Sequence, residues 1–227
     1  MSAQAFLAAL QLADSALPIG RFVHSHGLEA WLRAHDPVDP DALGELVRSV
    51  VCASAAPLDG AAVAHAHRAT SLAELVRLDA SLTARKLTPP ARDASRACGR
   101  QLAALAPALA EHDALVAALA DAVGDRRTAG HLAVVSGTLA RALGVPAREA
   151  VLVELRGTAV GLHSAAVRLG ALAPARAQLL LRRMHPAIER AADHALELGP
   201  DELHASTPEL ELHALTHRRP GARLFAT

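Results

Sequence analysis

The chain has 227 residues, 52% of them hydrophobic, yet only three Phe, one Trp and no Tyr. Its core is therefore Ala, Leu and Val, and a chain of this length can bury a sizeable one. Lys+Arg and Asp+Glu balance at 23 each, so no net field draws the protein to nucleic acid or to a membrane surface.

Helix signals run from end to end. A first helix is expected over 5–14, and Pro18 and Gly20 then break the chain before a second over 24–34. Ser25 is placed to cap that second helix, with Glu29 one turn inside it. Asp39-Pro40-Asp41 supplies an N-cap, a first-turn proline and an acidic residue, followed by an amphipathic stripe of Leu43, Leu46, Val47, Val50 and Val51. A separate helix is expected over 58–68. Ser71 to Glu74 is a capping box ahead of Leu75, Leu78 and Leu82, and Thr88-Pro89-Pro90 opens the next helix. Helices over 112–123 and 128–143 follow, then two long ones after Pro146 and Pro174, the last kinked at Pro186. No period-2 run appears, so the sequence predicts an all-α bundle of about ten helices. It reads as one domain over 1–227, with an extended tail over 208–227.

Gly157, Gly161 and Ala165 form a small-residue ridge in the helix after Pro146. Such a ridge admits a close helix, either within the core or across a dimer seam. The apolar stretch Ala147–Leu172 carries Arg148, Glu149, Glu154, Arg156 and Arg168, more charge than a membrane span tolerates. The start Met1-Ser-Ala-Gln-Ala-Phe6 lacks the basic and apolar regions of a signal peptide, so a cytoplasmic protein is expected. Cys52 and Cys98 form no CxxC and read as buried free thiols.

Several chemistries have no motif here. There is no GxxxxGK[ST], HExxH, GxSxG or Ser-x-x-Lys, and Lys86 is the sole lysine. The reading is a non-enzyme. Histidine is abundant, with 13 residues. In a helix, His24/His26 and His65/His67 point to opposite sides, whereas His213 and His217 share a face and are the weak metal candidates. With Glu209 or Glu211 they would make a helical nickel-binding metallochaperone, the alternative reading.

Leu10-Gln11-Leu12, Asp14-Ser15, Leu17-Pro18, Gly20, Phe22, Ser25 and Gly27-Leu28-Glu29 resemble the N-terminal signature of the UreF family of urease accessory proteins. Three more landmarks follow in order. Arg85 to Gly99, with Ala94-Ser95, is similar to the middle motif, and Val167-Arg168-Leu169 with Gln178 to the late one. Thr207-Pro208, His217 and Arg223-Leu224-Phe225-Ala226-Thr227 are similar to the family's ending. The chain departs from the pattern at Arg21, usually a small residue, at Ala171, at Ala173-Pro174, at Arg218 and at Gly221.

The resemblance implies an all-α, dimeric adaptor that catalyses nothing itself. It would bind UreD (also called UreH), recruit the GTPase UreG and support GTP-dependent nickel delivery to apo-urease, modulating the UreG GTPase. GTP would belong to UreG, Ni²⁺ would be handled by the complex, and this chain would hold no cofactor of its own. Asp14, Pro18, Gly20, Phe22, His24, Ser25 and Glu29 are the expected partner face, unless the motif merely shapes and packs its loop. The tail residues Arg223, Leu224 and Phe225 are the second candidate, suited to ordering in a partner's groove. Arg92 and Arg156 are the third.

Overall fold

A computed structural model describes residues 1–21, 27–35, 37–207, 209–210 and 212–213. These form α1 (Ala3–Ala13), α2 (Leu28–Ala34), α3 (Pro40–Val50), a π-helical segment (Val51–Gly60), α4 (Ala61–Arg68), α5 (Leu72–Arg85), α6 (Pro89–Leu109), α7 (Ala114–Gly124), α8 (Leu132–Ala142), α9 (Ala147–Arg168) and α10 (Pro174–Glu197). The fold is all-α, with no strand among the described residues.

Local chemistry starts these helices where the sequence predicts. Asp39, Ser71 and Thr88 each accept a first-turn backbone N–H, as do Ser2 and Asp113. Two expectations fail. The helix after Asp39 does not stop before 58: α3, the π segment and α4 run on without a break. Pro57 lies inside it and has no N–H to give the carbonyl four residues back. That carbonyl, Ala53 O, instead accepts the Ser206 N–H at 2.9 Å, and Pro57 O accepts the His204 N–H at 3.2 Å. The wider register thus leaves carbonyls for a segment from the chain's far end. The second correction concerns Ser25, which lies outside the described residues. The N-cap of α2 is Gly27, at φ 87°, with no side-chain cap.

The apolar residues make one cluster from Ala9 to Leu210. α9 lies at its centre against α10, the π segment, α4, α1 and α8. Glycines let two helix contacts close up. A Cβ at Gly137 would sit 2.5 Å from Val63 O, between α8 and α4, and one at Gly99 would overlap Gly130 O. Both Cys52 and Cys98 are free, Cys98 buried and Cys52 half-buried.

Charge counting does not by itself exclude a span at α9. Pro40–Arg68 and Ala147–Arg168 are both long and apolar enough to cross a membrane by length and composition. Here both serve as core helices, with Val51, Val151, Leu155 and Leu162 buried.

Candidate functional site

The opening motif leaves α1 through a tight loop. Asp14 Oδ1 accepts the Ala16 N–H at 2.9 Å, and Ile19 N–H bonds Leu17 O across Pro18 at 2.8 Å. Ile19 is buried while Asp14, Pro18 and Gly20 are exposed, Gly20 at φ 73°. The loop is thus pinned by one apolar residue and shows its polar side outward.

Arg21 follows, and it is not a surface charge. Its guanidinium meets both carboxylate oxygens of Glu154 at 2.7 and 3.0 Å, and donates to Glu154 O at 2.8 Å and Thr158 Oγ1 at 3.2 Å. It lies flat on Gly157, where a Cβ would come within 2.6 Å of its Cζ. Within the chain, the small-residue ridge is used in three ways. Gly157 admits an arginine rather than a helix, Ala165 is buried in the core, and Gly161 faces open space.

Glu29 is not on the exposed face where the sequence reading put it. It is 2% exposed and pairs with Arg33 at 2.6 Å, so it braces α2 from inside. Phe22, His24 and Ser25 lie outside the described residues, as do Arg223, Leu224, Phe225 and His217.

The C-terminal segment returns to this same region. Arg85 Nε donates to Leu203 O at 2.7 Å and its Nη2 to Asp201 O at 3.2 Å, while His204 and Ser206 dock on the π segment. Beyond Thr207, the described residues are helical rather than extended, and Leu210 is buried in the core. Glu209 Oε1 accepts the Trp31 indole N–H at 2.7 Å. Trp31 stacks on His35 with centroids 4.3 Å apart, and His213 approaches His35 edge-on at 6.1 Å. The described start of the tail is therefore folded onto the body.

Between the two ends lies a cavity of about 160 Å³. Arg21, Glu154 and Thr158 form one side, Lys86 and Asp59 another, and Ala205, Thr207 and Leu210 the C-terminal side. The sole lysine bonds both Asp59 oxygens at 2.7 and 2.8 Å and is 8% exposed. Burial pushes the Cys98 thiol in this wall up, against the pull of Arg21.

The middle motif turns out to be internal scaffolding. Arg92 Nη1 donates to Lys86 O at 2.7 Å and Leu87 O at 3.2 Å, closing the end of α5. Arg156 alone of the two arginine candidates is exposed. Asp79 accepts the His131 N–H at 2.7 Å, the Gly130 N–H at 3.0 Å and the Thr128 hydroxyl at 2.6 Å. The His131 ring is 3.0 Å from both Ser95 Oγ and Thr83 Oγ1. Thr83 gives its one proton to Asp79 O, so it accepts from His131 Nε2–H, and Ser95 donates to Nδ1. Every polar group of this buried cluster is used, and burial pushes the His131 imidazole down to about 4. Ser95 stood in the sequence motif, but nothing in the sequence joined it to Asp79 and His131.

The His65/His67 pair is structural. On α4, the rings of His65 and His67 meet Leu198 O at 2.9 Å and Val145 O at 2.8 Å. Among the described residues no group of three or more His, Cys, Asp or Glu could hold a metal. Glu209, offered as a ligand, is engaged by Trp31.

Known proteins of the same kind extend along nearly the whole chain. A urease accessory protein UreF of Arthrobacter sp. (strain FB24) is 35% identical over 225 residues, 96% of each chain. One from Corynebacterium efficiens is 31% identical over 96% of this chain and 95% of its own, and one from Yersinia enterocolitica 29% identical over the full length of both. The model of the UreF family matches residues 38–185, the body that carries the cavity's floor. The chain belongs to the UreF family.

Proposed function

We propose that this chain is the non-enzymatic adaptor of urease maturation. With UreD/UreH it recruits the GTPase UreG, modulates that GTPase and supports GTP-dependent nickel insertion into apo-urease in the cytoplasm. Its relatives are named urease accessory proteins, which supports the maturation role. Nickel is cargo of the assembly, GTP is the partner's, and this chain holds neither as a cofactor. It acts as one domain and as a homodimer.

One observation carries this reading. The opening motif and the C-terminal segment, far apart in sequence, converge on one cavity flanked by Arg21 and by Thr207 and Leu210. The exposed Asp14, Pro18 and Gly20 sit on the loop that leads into it. A rigid composite surface of this sort suits a protein partner better than a reaction, because its polar groups are already paired with one another.

The test is co-purification with the host's UreD and UreG, read by size-exclusion with light scattering. A stable complex of all three that forms only with this chain is the expected result. A chain that elutes alone while UreD stays soluble refutes the adaptor role. Gly161→Leu refines the test, since a Cβ there meets nothing within 4 Å and the residue lines the cavity into which the rest of the side chain would grow. It should weaken partner binding and leave the helical fold intact.

A further inference from the structure

The cavity between the two ends of the chain selects against charge. Five charged residues line it, Arg21, Asp59, Arg85, Lys86 and Glu154, and each is already engaged. Arg21 holds both carboxylate oxygens of Glu154, and Lys86 holds both of Asp59. Arg85 donates from Nε to Leu203 O, from Nη2 to Asp201 O and from Nη1 to Ser81 Oγ. A carboxylate or an ammonium group entering here would have to break one of these bonds while losing its own water. Burial raises the Cys98 thiol in the same wall, so that it too stays neutral.

The rest of the wall is apolar. Leu58 of the π segment, Ala94 of α6, Leu132 of α8, Leu162 of α9 and Leu210 of the C-terminal segment all line the cavity and are buried. On α9 the wall has no side chain at Gly161, where a Cβ would meet nothing within 4 Å. Leu87 lines the cavity as well and is 65% exposed, a large apolar side chain left in water at its edge.

Size narrows the occupant further. The cavity holds about 160 Å³, and an apolar cavity of about 150 Å³ takes up one benzene ring. Neither Phe6 nor Trp31, the aromatic residues among those described, lines it. Interface hot spots are typically aromatic anchors in desolvated pockets. Of the aromatic side chains, phenylalanine alone brings no polar atom that would need a bond inside.

We propose that this cavity receives one uncharged aromatic ring and that, resting on the adaptor reading, the ring is a phenylalanine side chain of the protein partner. The paired charges around it set the selectivity, because they admit a neutral ring and resist a charged one.

The experiment uses the full chain with ¹³C-labelled leucine methyls, those of Leu162 and Leu210 being assigned through Leu162→Val and Leu210→Val. Toluene, benzoate and benzylammonium are titrated in turn. Toluene should shift these methyls saturably through its ring current, and the two charged rings should bind at least about tenfold more weakly. Gly161→Leu should abolish the shift by filling the space, and Ala91→Leu, built from α6, repeats the test should that variant fail to fold. In the co-purified assembly the partner's ring takes the place, so toluene should no longer shift the same methyls. No saturable shift in the free chain, the result for a cavity that the chain fills itself, overturns the proposal and leaves the adaptor reading standing. Benzoate or benzylammonium binding as tightly as toluene overturns it, as does toluene binding the assembly as tightly as the free chain. Toluene binding to a chain that forms no assembly keeps the ring site and overturns its assignment to a partner, together with the adaptor reading.

Discussion

The buried His131 makes acid a specific stress on this fold. Its imidazole is wholly inaccessible, and burial holds it down at about 4, with the Asp79 carboxylate opposing and Lys86 adding to the depression. An unfolded chain would bind the proton near pH 6.5. Between those values the unfolded state holds a proton that the folded state refuses, so stability rises with pH. The contribution is intact above about pH 6.5 and is lost as pH falls towards 4. Complete loss is worth about 3 kcal/mol, and a drop from about pH 7.5 to 5 costs about 2 kcal/mol. Urea unfolding at these two conditions measures it, with His131→Gln as the comparison. The variant keeps an amide to face Thr83 and has nothing to titrate, so its difference between the two conditions should be smaller by about 2 kcal/mol. The comparison is of slopes, so a lower overall stability of the variant does not matter. Equal pH dependence in both proteins refutes the reasoning. So does a wild-type His131 ring that titrates by NMR near its ordinary value.

Arg21→Ala leaves Glu154 buried and charged, and should cost about 3–5 kcal/mol in thermal or urea unfolding. Arg21→Ala with Glu154→Gln should recover a large part of that, and a double-mutant cycle showing simple additivity would deny the coupling. Gly99→Ala drives a Cβ into the Gly130 carbonyl and should destabilise by about 3 kcal/mol or more, read by circular dichroism melts. His163→Leu replaces a buried ring that faces the Ala159 carbonyl of its own helix by an apolar side chain of similar size. It should stabilise by about 1 kcal/mol in thermal unfolding, and a loss of stability would mean that the bond to that carbonyl outweighs the cost of burying the ring.

Helix starts were legible because capping is local. Asp39, Ser71, Thr88 and the stripe from Leu43 to Val51 need no tertiary knowledge. The continuity through Pro57 was not, since the carbonyls it frees are satisfied by His204 and Ser206, far along the chain. Glu29 looked like a surface residue because acids usually are, and its burial depends on how α2 packs. The ridge at Gly157 was visible as a gap, but the sequence does not say what fills a gap. Arg21 fills it, at a position where the family pattern has a small residue. Of the candidate site, the motif positions could be read and their mutual placement could not. Trp31 with Glu209, and Lys86 with Asp59, are joined only by the fold.

That placement bears on how such a surface works. Each end of the chain is fastened to the same central scaffold by different means. Arg21 ties the N-terminal loop to α9 through Glu154, and the C-terminal segment is tied to the π segment by two backbone bonds, to Arg85 and to Trp31. The cavity between them exists only when both attachments are made, because its walls come from both ends. A partner that contacts those walls therefore reads the folded state of the whole chain rather than a linear motif. Neither end alone, offered as a peptide, carries the Glu154 or Ala53 that shapes it. Selection for such a surface would act on internal ties such as the half-buried Arg85 and the buried Lys86 as strongly as on the exposed residues. This explains why so much of the middle motif is inside the protein.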